Sequence, residues 1–434
     1  MANILKRITI VFAVALLLAA ALSLGASQNT AYVIRNAKVH TLSSAGTLER
    51  ASVIVVDGKI ADVGTSVKAP AGAQIINGQG LEVYPGMVNA WSNIGLTEIG
   101  AVPATNDANE MGDFKPQLLA FSAVHPASEH IPVARVNGIT TSLSAPSGGI
   151  IAGQAVLIHL DGWTADEMVI LKSAGMVLDF PGFGGRFGGL GGFARVGTRQ
   201  SFSEARRNQE KQVKDLTELL EKARHYAKAR EANPATERDR QLDALVPVVK
   251  GQMTVFIGAD TAREIRGAVE FAKKEKLKFV IQGGREASKV ADLLRKENVP
   301  VILGSIIALP TREDDPYDAR FTVPRDLAKA GVKFALTAPS SSDMRNLPYE
   351  AGFAQAYGLP HEEAVKTVTL YPAEILGVAD KIGSIEMGKI ADLVVTDGDL
   401  LEIRTQIKNL FIAGKNVSLE TKHTKLYQLY LNRP

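Results

Sequence analysis

Cysteine is absent from all 434 residues. That absence removes a disulfide scaffold, a thiolate nucleophile, a lipid-modified cysteine behind a leader and any Cys-type zinc site. Stability must therefore come from a buried core, which a chain of this length with 46% hydrophobic residues can build. A dominant charge is lacking too: 49 lysines and arginines face 46 aspartates and glutamates. No broad field marks nucleic acid as a partner, and none is expected. Histidine is sparse, with only His40, His125, His130, His159, His225, His361 and His423. No two stand two apart on a strand or three or four apart on a helix, the spacings at which imidazoles share a metal ion. Each is expected at the surface or hydrogen-bonded in the core. No Gly-x-Ser-x-Gly elbow or Ser-x-x-Lys pair in a catalytic setting points to a serine nucleophile.

Long apolar runs are missing except at the start. Lys6 and Arg7 precede the apolar stretch 8–22, and Leu24-Gly25-Ala26 offers small residues for cleavage, so residues 1–26 are expected to be a signal peptide. The mature protein then begins near Ser27 in the periplasm or outside the cell. The alternative is an uncleaved helix anchoring the chain in the inner membrane, since 8–26 approaches the length that spans a bilayer.

What is present has two textures. Short alternating strands at 32–34, 37–42, 53–56 and 60–63, the last two joined by Asp57-Gly58, predict hairpins at the amino-terminal end. The texture returns at 391–395, Asp397-Gly398, 410–412, Ala413-Gly414 and Val417. Between 83 and 377, apolar runs alternate with amphipathic segments, predicting parallel strands with crossover helices. Strands are expected at 83–90, 139–143, 155–160, 169–171 or 176–179, 255–257, 279–281, 301–303 and 332–336. Ile265, Ala268, Val269 and Ala272 form a helical stripe after the fifth, and Val290, Leu293 and Leu294 another after the sixth. The count approaches eight. Two insertions interrupt it: a glycine-rich stretch at 181–197 with Phe183, Phe187 and Phe193, expected at a lid or rim, and a charged helix at 203–232. The apolar stripe of that helix is Val213, Leu216, Leu219, Leu220 and Ala223. Residues 189–194 match G-x-G-x-x-A, but no acidic residue follows where a dinucleotide site needs one, so no nucleotide is expected.

Several segments in order resemble the amidohydrolase superfamily, near its imidazolonepropionase-like group. Val83-Tyr84-Pro85-Gly86-Met87-Val88-Asn89-Ala90 is similar to the entry into the first barrel strand. Arg345-Asn346-Leu347-Pro348-Tyr349-Glu350-Ala351 and Ala356-Tyr357-Gly358-Leu359-Pro360 are similar to the segment after the last. Thr369, Pro372-Ala373, Leu376-Gly377, Ile382-Gly383-Ser384-Ile385, Gly388-Lys389, Ala391-Asp392-Leu393-Val394-Val395 and Asp397 follow the family's return to its small domain. The resemblance implies a (β/α)8 TIM barrel with a small β-sandwich formed from both chain ends. On that basis residues 27–85 and 378–420 make the sandwich, 86–377 the barrel and 421–434 a tail.

The family's reaction needs a metal-bound hydroxide, since a cation must lower the pKa of water to make it a nucleophile near neutrality. Where the resemblance implies the paired histidines of the first strand, this sequence has Trp91-Ser92-Asn93. The fifth-strand histidine falls on Gly258, before Ala259-Asp260, and the sixth-strand one near Gln282. The fourth-strand lysine or glutamate falls near Val177, with Lys172 the nearest amine. The last-strand aspartate falls on Ala338-Pro339, with Asp343 further on. His125 and His130, five apart, lie on different helix faces, and the acidic loop Arg312-Glu313-Asp314-Asp315-Pro316-Tyr317-Asp318 is expected to be solvated. The expectation is a catalytically impaired or metal-free member, without a cofactor. It would bind a small polar or peptide-like ligand, or partner itself or an active amidohydrolase. Trp91, Asn93, Gln282, Arg285, Ser340, Asp343 and Arg345 would line the pocket, although Trp91 could simply fill space and Asp343 could pair with Arg345. The alternative is an active zinc hydrolase of carbon–nitrogen bonds in cyclic amides, using other ligands.

Overall fold

The computed structural model describes residues 31–182, 201–310 and 312–433. The expected signal at 1–26 and nearly all of the glycine-rich stretch, including Phe183, Phe187 and Phe193, lie outside them. Among the described residues no helix is long and apolar enough to cross a membrane.

Both chain ends build one sheet. From the amino-terminal side come β1 (Tyr32–His40), β2 (Thr47–Val56), β3 (Lys59–Gly64), β4 (Gln74–Asn77) and β5 (Glu82–Pro85). The hairpin between β2 and β3 turns at Asp57 and Gly58, both at positive φ (51° and 80°), as a two-residue type I′ turn requires. Chain then leaves for the barrel: β6 (Met87–Ser92), β7 (Ile139–Ser144), β8 (Ile151–His159), β9 (Val169–Asp179), β10 (Val255–Ala259), β11 (Phe279–Gly283), β12 (Val301–Leu303) and β13 (Phe334–Ala335). It returns as β14 (Leu393–Thr396), β15 (Ile407–Ile412) and β16 (Lys415–Asn416). The sheet order is β16-β15-β14-β5-β1-β2-β3, with β4 beside β1. The segment leading into β14 meets the β2–β3 hairpin: Ala391 N–H donates to Gly58 O at 2.9 Å, and Ile60 N–H to Lys389 O at 2.9 Å. The sheet thereby encloses Ile34, Val53, Val55, Val83, Leu393, Val395 and Phe411.

The middle of the chain forms an eight-stranded, nearly closed barrel sheet in the order β13-β12-β11-β10-β9-β8-β7-β6. Seven strands are parallel. The eighth, β8, is antiparallel to both β7 and β9, contrary to the uniform parallel alternation expected from the pattern. Connection length explains the reversal. Only residues 145–150 separate β7 from β8, whereas a parallel pair needs a crossover of about a dozen residues or more. The two alternative strand segments, 169–171 and 176–179, are the two ends of the single strand β9. The first strand is likewise divided: Gly86 separates β5 of the small sheet from β6 of the barrel, and a Cβ there would lie 2.2 Å from Thr140 Oγ1.

Barrel interior and outer layer follow the apolar pattern. Val88, Leu143, Leu157, Val177, Phe256, Val280, Ile302 and Ala335 fill the barrel, and Ala373, Leu376, Val378 and Ile382 join the same core. Outside, Ile265, Ala268, Val269 and Ala272 of the helix Ala262–Lys274 are buried against the strands, and a Thr261–Glu264 capping box starts that helix. The charged helix Phe202–Ala232 buries Leu216, Leu220 and Ala223 and leaves most of its charged residues in water. No ladder joins β6 to β13. Asn89, fully buried, closes that seam instead: its Nδ2 donates to Ala338 O at 2.8 Å, and its Oδ1 accepts Ala338 N–H at 3.2 Å.

Candidate functional site

Pockets of such barrels lie at the carboxyl ends of the parallel strands. Register defines what faces inward there. Phe256 and Val280 fill the interior, and residues two further on share their face. Gly258 stands opposite Asp179 on one side and Gln282 on the other. Beyond Asn89 the pairing of β6 with β7 shifts register, and Trp91 packs edge-on against Phe256, with ring centroids 5.7 Å apart at 72°. The layer thus presents Trp91, Asp179, Gly258 and Gln282. Gln282 makes no side-chain hydrogen bond with the described residues. Asn93 is buried, and its Oδ1 accepts the Ser341 N–H at 2.8 Å.

One side of the rim is rich in charge. Asp260 follows β10 and Arg285 follows β11, and Arg285 Nη2 lies 3.1 Å from Asp260 Oδ2. Gly283 permits that approach: its φ is +103°, and a Cβ there would lie 2.6 Å from Asp260 Oδ1. After β12, Ser305 Oγ donates to Glu350 Oε1 at 2.5 Å, and the Ile306 N–H donates to Glu350 Oε2 at 2.7 Å. Burial pushes the Glu350 carboxyl above the usual range, against the hydrogen bonds that favour its charged form. Arg320 lies on the same loop and donates through Nη2 to Ser305 O at 2.7 Å. Burial, and then repulsion from the Arg285 guanidinium, holds Arg320 below the usual arginine range.

The seven residues expected to line the pocket do not converge. Trp91, Gln282 and Arg285 belong to the mouth and its rim. Asn93 serves the backbone of Ser341. Ser340 Oγ bonds Ser342 Oγ at 2.8 Å. Asp343 and Arg345 are exposed and form no ion pair with each other. Arg345 O accepts from Asn137 Nδ2 at 2.8 Å, beside the helix His130–Arg135, because Met344 and Leu347 turn inward and Arg345 between them turns out. Lys172 is likewise outside the barrel, paired with Asp166 at 2.9 Å. Sequence reasoning missed Asp179, Arg320, Ser305 and Glu350 as mouth residues. Asp179 was two positions beyond the residue chosen on β9, and Glu350 stood inside a motif used only for the resemblance.

The histidines are dispersed. His159 Nε2 meets Asp392 Oδ2 at 3.1 Å, His361 Nε2 meets Asp399 Oδ2 at 2.7 Å, and His40 Nε2 meets Glu82 Oε2 at 2.6 Å. Among the described residues no three His, Asp or Glu side chains assemble as a metal-binding group. Residues 1–30, 183–200, 311 and 434 contain no histidine, aspartate, glutamate or cysteine.

The Amidohydrolase family model matches residues 286–418. An amidohydrolase, tasK, from Hapsidospora irregularis is 25% identical over 397 residues, covering 85% of this chain and 39% of that protein. The chain thus spans about two fifths of that relative's length. Imidazolonepropionase of Erwinia tasmaniensis is 34% identical over 110 residues, covering 25% of this chain and 26% of that enzyme. Among solved structures, an amidohydrolase from Thermotoga maritima superposes with a TM-score of 0.77 at 26% identity, covering 89% of this chain and 99% of that one. A prolidase complexed with N-methylphosphonate-L-proline shares the fold, with a TM-score of 0.56, 18% identity, and coverage of 90% and 100%. The family model, these relatives and the shared fold support placing the chain in the amidohydrolase superfamily.

Proposed function

We propose that this protein is a member of the superfamily that does not run metal-hydroxide chemistry and uses its barrel mouth to bind a small polar ligand. One observation carries the reading, the chemistry of the mouth layer. A resident catalytic cation needs imidazole or carboxylate donors converging on one point. The first strand instead offers Trp91, whose ring has no lone pair for a metal and lies against Phe256, and Asn93, whose carboxamide oxygen accepts a backbone N–H. Gly258 has no side chain, and Gln282 brings a neutral amide. Asp179 is a single carboxylate in that layer. These residues do not fit the family's metal centre.

An exported location, through the apolar segment at 8–22, belongs to the same proposal. So does the role of a subunit beside an active amidohydrolase. Elemental analysis of the purified protein tests the chemistry. Sub-stoichiometric zinc, manganese, iron and nickel, with no cyclic-amide hydrolysis after any of them is added, is expected. Stoichiometric zinc that is lost together with hydrolysis on chelation would overturn the proposal in favour of an active carbon–nitrogen hydrolase.

A further inference from the structure

The helix Lys422–Leu431 stands away from the body of the protein. Its root is fixed: Val417 and Leu419 pack against the main core, and the buried Thr421 opens the helix with a capping box to Thr424. Beyond that root none of its residues is buried. Thr421, Thr424, Lys425, Gln428 and Asn432 fall three or four apart and make one polar stripe. Most of the remaining surface is apolar, with Leu426, Tyr427, Leu429, Tyr430 and Leu431 between 40% and 65% exposed. Single exposed apolar side chains are ordinary, whereas five on one short helix form a contiguous patch that marks an interaction surface. Charge around the patch has one sign. Between residues 415 and 433 the basic side chains Lys415, Lys422, Lys425 and Arg433 stand against one acid, Glu420, which pairs with Lys425 at 3.2 Å. Arg433 lies over the Tyr430 ring, 5.2 Å from its centroid.

We infer that this helix docks on the surface of a bilayer that contains anionic lipids, its apolar face at the acyl boundary and its cations among the headgroups. Leucine and tyrosine on one side with lysine and arginine at the rim is the composition of helices that lie in a membrane interface, and ten residues are too few to cross one. Charge complementarity selects this occupant over a second copy. Two such helices laid together would bring cations against cations, and the acid available to offset them is already paired within each chain. The helix also leaves the protein beside the place where the chain enters it. Asn416 of β16 pairs with Phe411 of β15, and the Phe411 ring meets that of Tyr32, in the first described strand, at 5.1 Å. The apolar segment 8–22 precedes that strand, so a retained anchor there would keep the helix beside the same bilayer.

The test is co-sedimentation with vesicles of the chain from Ser27, which keeps every described residue and removes the segment 8–22 as a lipid-binding element of its own. The vesicles are equimolar phosphatidylcholine and phosphatidylglycerol, with phosphatidylcholine alone as the comparison. Partition is expected to be at least about tenfold stronger onto the anionic vesicles and to weaken as salt is added. Leu426→Ser combined with Leu429→Ser and Tyr430→Ser should lower it at least about tenfold, with the thermal midpoint unchanged because none of the three side chains is buried. Lys422→Gln with Arg433→Gln should remove most of the preference for anionic vesicles and leave the weak partition onto phosphatidylcholine. Absence of partition by the parent, equal partition onto both kinds of vesicle, or partition that the triple substitution leaves unchanged overturns the inference. So does a parent that sediments as a dimer without lipid and becomes a monomer in the triple variant, which assigns the face to a second copy.

Discussion

Replacing Asn89 should weaken the barrel more than its size implies. The side chain is fully buried and spans the gap between β6 and β13, giving a hydrogen to Ala338 O and accepting one from Ala338 N–H. In Asn89→Ala both backbone groups of Ala338, a residue 1% exposed, lose their partner. Each buried group left unpaired costs about 1–3 kcal/mol, so the loss of both should be about 2–6 kcal/mol. Asn89→Leu separates this from a packing defect, since it refills the volume and restores neither hydrogen bond. It should recover less than about 1 kcal/mol. Urea unfolding with both variants gives the answer as a shift in midpoint at unchanged slope. If Asn89→Leu unfolds within about 0.5 kcal/mol of the parent, the seam is held by packing and the hydrogen-bond account fails.

Three further outcomes follow from the geometry. Burial alone would lower the His159 imidazole, but the charge and hydrogen bond of Asp392 hold it above its ordinary value of 6.5. The raised folded value means that the pair's stabilisation is complete below about 6.5 and is lost as pH rises through the higher value. The difference in unfolding free energy between the parent and His159→Gln should therefore shrink with rising pH, and a difference that grows would contradict the assignment. Gly414→Ala places a Cβ 2.4 Å from Gly58 Cα at a φ of +76°. It should destabilise by at least about 2 kcal/mol more than Gly46→Ala, where φ is +66° and nothing lies within 4 Å, as thermal unfolding can show. Ser201→Ala removes one half of the capping box that starts the helix Phe202–Ala232 and should cost about 1 kcal/mol by the same measurement.

The fold was largely legible because its signals are local. Asp57-Gly58 specifies a turn needing two positive φ angles, and the stripe Ile265, Ala268, Val269, Ala272 specifies a helix face whatever lies opposite. Strand direction was less legible. The β-rich stretch between 139 and 179 contains the right residues for strands, but the sense of β8 depends on how far residues 145–150 can carry the chain. The site was the least legible part. Arg285 and Gln282 were found because they follow a clear strand. Arg320 was not, since beside the charged loop 312–318 it looks like one more solvated residue, and only the packing of Ser305 and Glu350 around it gives it a place at the mouth.

From the chain alone came the absence of thiols, the scarcity and scatter of imidazoles, and the order of turns and apolar periods that specifies a barrel with a small sheet. These are properties of residue type and near spacing, which do not require knowing what meets in space. Tertiary structure decided that Asn89 closes the barrel, that Arg345 faces outward, and that Arg320 donates to the Ser305 carbonyl. Those depend on contacts between residues far apart in sequence, Asn89 with Ala338 and Ser305 with Glu350, where burial turns an ordinary polar side chain into one that must find a partner.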